Sequence, residues 1–348
     1  MIRDDGVRPH TSNVEWGAPA ELVVDDLLAE PFGNWHVTST AETLQLRVTK
    51  RGDAQLHRAA VSVATAPTAA AAGTHDRAPA HLLDPGDPIF DVIGGGAAKR
   101  RQVDAFLRAL RATLGDSELP DQLRVVDLGC GNAYLTFAAY RYLSDLHSPG
   151  RDLDVRITGV DVRADQRERN NALAQRLGWA DRVTFVAGTI ARAEVETAPD
   201  VVLALHACDT ATDDALARAV SWGSRWVLAA PCCHHEIAKQ LRWGASASGG
   251  LAAHGLLRDG ILRQRFADVL TDSLRAALLR SVGYRVEVVE FIDSAHTPRN
   301  VMLRAVRGTT DREVPVGRDE EYRALSAAWG VTPTLAHLLA PQRPTLSG

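Results

Sequence analysis

The stretch from Arg124 to Phe137, RVVDLGCGNAYLTF, constrains this chain's fold more than any other. Val125 and Val126 read as a short buried strand that ends at Asp127. Gly129 and Gly131 then form a turn, and a helical pattern follows. A backbone without Cβ is needed there, because only glycine turns so sharply and lets a ligand approach the main chain. A strand, a glycine turn and a helix in that order mark a nucleotide-type cofactor site at the carboxyl edge of a parallel sheet.

The spacing narrows the ligand. A dinucleotide fingerprint requires a third glycine where this chain has Tyr134, and an acid about 20 residues further on. The next acid at a strand end, Asp161 after the run VRITGV, lies beyond that spacing. No Gly-Lys-Ser/Thr phosphate loop is present. The Asp-x-Gly-x-Gly pattern instead resembles the first motif of class I S-adenosylmethionine (SAM) methyltransferases, whose cofactor carries an amino acid and a ribose but no phosphate. Asp161 suits a hydrogen bond to ribose hydroxyls. The bland alternative is an ordinary βαβ turn without a ligand. Agreement between turn chemistry, strand and acid argues against it.

At 348 residues the chain has room for one large or two modest domains, and 45% hydrophobic residues is a globular value. A net charge of −4 argues against a protein that coats nucleic acid along its whole surface. No run of eighteen apolar residues suggests a membrane span, and the N-terminus lacks the pattern of a signal peptide. The four cysteines are Cys130, Cys208, Cys232 and Cys233. Adjacent cysteines rarely pair with each other, so free thiols in a reducing cytoplasm are expected.

Three regions are expected. Residues 1–96 form an accessory region with a hairpin, 43–49 against 54–61, and an Ala-rich flexible loop at 64–73. Residues 97–307 alternate strands near 124–128, 155–160, 182–187, 200–205 and 225–230 with helices, which predicts a doubly wound parallel sheet. A helix at 266–282 then leads to an antiparallel hairpin, 284–292 with 301–306, at the sheet edge. The stretch 240–265 reads as irregular. Residues 308–348 form a tail with a helix near 320–329.

Two further strand ends concentrate reactive side chains. The fourth strand ends in Leu205, His206, Ala207, Cys208 and Asp209, and the fifth in Pro231, Cys232, Cys233, His234, His235 and Glu236. Ligands of doubly wound sheets sit outside these carboxyl ends, so both loops should converge with the glycine turn on one pocket. Methyl transfer from a sulfonium mainly requires alignment of the acceptor, and an oxygen acceptor also benefits from a base. His206, Asp209, His234 or His235 could supply that base. Cys232 and Cys233 could equally be small buried residues, and His234 and His235 could cap a helix. A zinc site from Cys208, Cys232, His234 and His235 is conceivable, but neighbouring positions diverge and the Cys-x₂₋₄-Cys spacing is missing, so no metal is expected.

Residues 127–137, 205–212 (LHACDTAT), 231–236 (PCCHHE), 271–275 (TDSLR) and 291–300 (FIDSAHTPRN) together resemble a bacterial branch of SAM-dependent methyltransferases. That branch is similar to the eukaryotic tRNA 2′-O-ribose methyltransferases, which share a Cys-Cys-His-His run after the fifth strand. The resemblance implies a Rossmann-like class I fold with a seven-stranded, mostly parallel sheet. It also implies a SAM pocket drawing on Asp127, Gly129, Cys130, Gly131, Asn132, Asp161, Val162, Thr189, Leu205 and His206. Asp209, His234, His235 and Cys232 would then stand at the catalytic centre. Two departures stand out: Asn132 replaces a common Lys, and Gly188-Thr189 stands where many class I enzymes place an acid near adenine.

The acceptor is expected to be RNA, with ribose oxygen first by resemblance; the alternatives are a protein or small-molecule acceptor, or a SAM-binding sensor or assembly factor without catalysis. The first turn of the 97–114 helix carries Lys99, Arg100 and Arg101, with Arg108 and Arg111 further on, against one acid, Asp104. Such a local excess of positive charge suits an RNA-contacting flank, and equally a solvated helix face. His296 to Asn300 would present a polar, cationic turn at the mouth of the site, or simply a tight turn.

Overall fold

A computed structural model describes residues 2–4, 9–11, 25–26, 34–38, 42–48, 53–60, 81–94, 96–146, 153–205, 207–231, 234–244, 255–290, 300–308 and 318–342. The chain divides into two units, residues 1–80 and 81–348.

The first unit contains a short antiparallel pair, β1 (Ile2–Asp4) with β2 (Pro9–Thr11), and a three-stranded meander of β3 (Asn34–Thr38), β4 (Glu42–Val48) and β5 (Ala54–Ala60). The β4–β5 pairing is the expected hairpin, in register Thr43 to Ala59 and Val48 to Ala54. β3 was not anticipated: Asn34–Thr38 is too short to set a period of its own. The Ala-rich loop at 64–73 lies outside the described residues.

The second unit is built on a seven-stranded sheet. Its strands are β6 (Gln122–Leu128), β7 (Asp154–Asp161), β8 (Val183–Ala187), β9 (Val201–Ala204), β10 (Trp226–Ala229), β11 (Tyr284–Glu290) and β12 (Val301–Arg307). They lie in the order β11-β12-β10-β9-β6-β7-β8. β6 to β10 are mutually parallel, whereas β12 pairs antiparallel with both β10 and β11. The expected terminal hairpin is therefore present, with its second strand on the inside.

The central strands are short apolar runs because both sheet faces are covered, as parallel sheets require. The pleat sorts their side chains into two cores. Val125, Val201 and Leu203 face α1 (Ile89–Ile93), α2 (Ala97–Leu114), α3 (Tyr134–Ser144) and α4 (Ala164–Arg176). Val126, Val202 and Ala204 face the other way, towards α5 (Thr210–Trp222), α6 (His235–Gly244) and α7 (Gly260–Ser281).

Both flanks of the expected 97–307 domain join these cores. Ile89, Phe90 and Ile93 of α1 are buried with α2 and α3, and Arg141 Nε donates to Asp87 at 3.0 Å. At the other end, α8 (Arg318–Trp329) and α9 (Thr334–Leu339) contribute buried Tyr322, Leu335 and Leu339. α6 and the first turns of α7 occupy part of the stretch read as irregular. α6 is short, and Ile237, Ala238 and Leu241 are its buried residues. Ile261 and Leu262 at the start of α7 are exposed, so no inward-facing stripe marks them.

Strand order reverses between β6 and its neighbours β7 and β9. The crevice outside those carboxyl ends is where this architecture leaves room for a ligand.

Candidate active site

The glycine turn after β6 is fastened on three sides. Gly129 N and Cys130 N both donate to Val160 O at the end of β7, at 2.8 and 3.0 Å. Gly131 N donates to Asp161 Oδ2 at 2.9 Å, and Asn170 Nδ2 of α4 donates to Gly131 O at 2.9 Å. The turn uses positive φ at Gly129 (78°) and Gly131 (54°), and Ala133 follows at 55°. A left-handed alanine costs roughly 1–2 kcal/mol, which a freely chosen turn would avoid. Ala133 N donates to Cys130 O at 2.9 Å, and α3 begins immediately afterwards.

Asp127 lies beneath this turn and is 1% exposed. Thr136 Oγ1 donates to its Oδ2 at 2.5 Å, while Oδ1 has no hydrogen-bond partner among the described residues. Burial raises its carboxyl to about 7, against the pull of the Thr136 hydroxyl and with some help from the Asp161 charge.

The turn borders a cleft of about 560 Å³, the size of a small-molecule site. Of the cofactor residues expected from sequence, Gly129, Gly131, Asn132, Asp161, Val162 and Thr189 line it. Asp127, Cys130 and Leu205 are buried. His206 lies outside the described residues. Sequence reasoning did not single out Tyr134, Arg163, Ile190, Ala191, Ala211 or Asp214, which also line the cleft. Ala211 and Asp214 are one helical turn apart on α5, a face visible only once the helix has been placed against the cleft.

The two loops after β9 and β10 meet directly, through Asp209, and again through α7. Asp209 (φ 56°) accepts hydrogen bonds on Oδ1 from His235 N at 2.9 Å and Glu236 N at 3.1 Å, so its carboxylate caps α6. Its carbonyl accepts from Arg275 Nη2 at 2.8 Å. Arg275 is 1% exposed and also donates to Asp213 Oδ1 at 2.8 Å and Asp272 Oδ1 at 3.3 Å. Asp272 Oδ1 lies 2.9 Å from His234 Nε2, and Asp268 Oδ1 lies 3.3 Å from His234 Nδ1. His234 is buried. Desolvation favours its neutral form, but hydrogen bonds to Asp268 and Asp272 outweigh it and raise its pKa.

His234 is thus clamped between two carboxylates, whereas His235 on the next position is exposed. Cys208 is exposed and lines the cleft. Cys232, Cys233 and His296 to Arg299 lie outside the described residues. Among the described residues no His, Cys, Asp and Glu group is arranged to hold a metal, and no helix is long and apolar enough to cross a membrane.

Residues 98–240, which include the glycine turn and both loops, match the family model of a methyltransferase domain. That stretch is a methyltransferase domain. With the sheet order above, this is the Rossmann-like class I methyltransferase fold. Solved structures that resemble it include a protein from Klebsiella pneumoniae assigned as an O-methyltransferase, at 16% identity and TM-score 0.38, covering 65% of this chain and 93% of that one. Another is the geranyl diphosphate C-methyltransferase of Streptomyces coelicolor, at 13% identity and TM-score 0.36, covering 64% and 85%. A third is the methyltransferase PaMTH1 of Podospora anserina, at 16% identity and TM-score 0.34, covering 64% and 82%. No curated protein matches the sequence.

The methyltransferase domain's cleft fits SAM chemically. The cofactor is cationic at its ammonium and sulfonium, and Asp127 Oδ1 is a buried acceptor without a partner among the described residues. Asp161 borders the cleft as a ribose acceptor, and the glycine backbone permits close approach.

Two results should follow. Between about pH 4 and 7 the folded chain keeps a proton on Asp127 that the unfolded chain has released, so stability falls as pH rises through that window. Asp127→Asn should remove this slope and exceed wild type by up to about 4 kcal/mol above pH 7, as read by urea unfolding across pH. Arg275→Leu should instead cost about 3–5 kcal/mol in the same assay, because Asp213 would be left buried without its ion pair and Asp272 with His234 alone.

Proposed function

We propose that this methyltransferase domain methylates RNA, with a ribose 2′-hydroxyl of tRNA as the favoured acceptor. The observation that carries the acceptor class is a pair of cations at the rim of the cleft. Lys99 Nζ sits 4.7 Å over the Tyr134 ring and donates to Ile93 O at 2.6 Å. Arg169 Nη1 lies 3.4 Å from Asn132 Oδ1. Tyr134 and Asn132 both line the cleft, and neither cation has an acidic partner among the described residues. Burial and the Arg169 charge lower the Lys99 pKa, a cost that an arriving phosphate would relieve. A phosphate backbone beside the cleft satisfies both cations and positions the strand without reading its sequence. The resemblance of LHACDTAT, PCCHHE and HTPRN to the relatives of tRNA ribose methyltransferases supports the choice of ribose.

Bound SAM supplies a methyl group already activated on a sulfonium. In this reading Asp161 holds the ribose of the cofactor, and the glycine turn lets its amino-acid end lie against the backbone. Ile190, Ala191 and Ala211 exclude water from one wall. The acceptor hydroxyl must lose a proton, and His235, exposed in the first turn of α6, is the group assigned to take it. Asp209 and His234 act beneath it, the first by capping α6 and the second by joining the loop to α7. Cys232, expected at the centre, has no described position from which to assign a role.

Tritiated-methyl SAM, the purified chain and a lysate lacking this protein test the proposal together. Label should enter the RNA fraction, and His235→Gln should reduce its rate by about 10²–10⁴-fold while sparing cofactor binding. Label in the protein or small-molecule fraction would move the acceptor. Cofactor binding without any label would make the chain a non-catalytic binder.

A further inference from the structure

The cleft has one acid whose purpose the proposed function leaves open. Asp214 stands on α5 one turn beyond Ala211, in the wall formed with Ile190, Ala191 and Ala207. Its neighbours along that wall are apolar, and it is half-buried. No hydrogen bond or ion pair reaches it among the described residues. The basic residue four positions on, Arg218, turns away: its guanidinium lies 4.4 Å from the Trp222 ring centre and donates to Ala193 O. Burial alone raises the Asp214 pKa, with no compensating partner.

A carboxylate left against an apolar wall calls for a donor from the ligand. The order of groups in the cleft narrows which donor that is. Asp161 and the glycine turn line the part where the amino acid and ribose of SAM are assigned. Asp214 stands on α5, which packs against residues 190–192 of the segment after β8. That segment offers Gly188 and Thr189 rather than an acid, and a Cβ on Gly188 would meet nothing within 4 Å. The space is open and flat-walled by aliphatic side chains, which suits a purine. A purine of SAM brings one strong donor to such a wall, its exocyclic amine.

We infer that Asp214 recognises the exocyclic amino group of the cofactor's adenine, supplying from α5 the acid that the end of β8 lacks. The inference rests on the cofactor reading above. A hydrogen bond to a charged acceptor in a partly exposed site contributes about tenfold to a hundredfold in affinity. A hypoxanthine ring presents a carbonyl at the same position, so oxygen would face oxygen and binding would weaken.

Calorimetric titration of the full chain with S-adenosylhomocysteine and with its inosine counterpart, S-inosylhomocysteine, tests this directly. Wild type should prefer the adenosine ligand by about tenfold or more. Asp214→Ala should bring the two affinities within about twofold, mainly by weakening the adenosine ligand. Asp214→Asn, whose amide can also donate, should narrow the gap by admitting the inosine ligand. Melting temperatures of both variants should match wild type, since no protein partner is lost. An Asp214→Ala protein that kept the full preference, or lost both ligands equally, would overturn the inference and leave the cofactor reading standing. Wild type that bound neither ligand would overturn both.

Discussion

The bond from Gly131 N to Asp161 holds the site together. It joins the turn after β6 to the end of β7, so one carboxylate fixes the conformation of the loop and borders the cleft. Backbone amides of Gly129 and Cys130 reach the same strand end through Val160 O. A turn with three left-handed positions among five residues would not hold its shape unaided. Pinned in this way it presents a preformed surface, and the ligand need not order it on arrival.

The other half of the site depends on a buried charge network. Arg275 gathers Asp213, Asp272 and the Asp209 carbonyl, while Asp272 passes the connection to His234. Removing one member would strand the others in low dielectric, which makes the network a fixed spacer between the loops after β9 and β10. The consequence for function is a division of labour. The residues deepest in the loops set positions, while His235 and Cys208 are exposed, and Cys208 lines the cleft.

How far the sequence could be read follows from where each signal resides. β9 and β10 were legible because strands buried on both faces must be apolar throughout, and the glycine turn was legible because its residue types follow from its backbone angles. Asp161 was legible because an acid at that strand end has few other reasons to be there. The link from His234 to Asp272 was hidden because Asp272 lies 38 positions away, as a charge set within the apolar inward face of α7. Asp214 was hidden because a residue on the second turn of a helix acquires its meaning from the wall it faces. Only the start of α6 was legible, from His234 and His235 read as helix caps, because its last residues fall in the stretch read as irregular.

One titration addresses the central claim, that Asp161 both shapes the turn and holds the cofactor. S-adenosylhomocysteine should bind wild type at one site per chain, and Asp161→Ala should weaken that binding by at least about tenfold while the protein remains folded. Equal binding by the two proteins would contradict the account, because the ligand would then sit somewhere other than the crevice between β6 and β7.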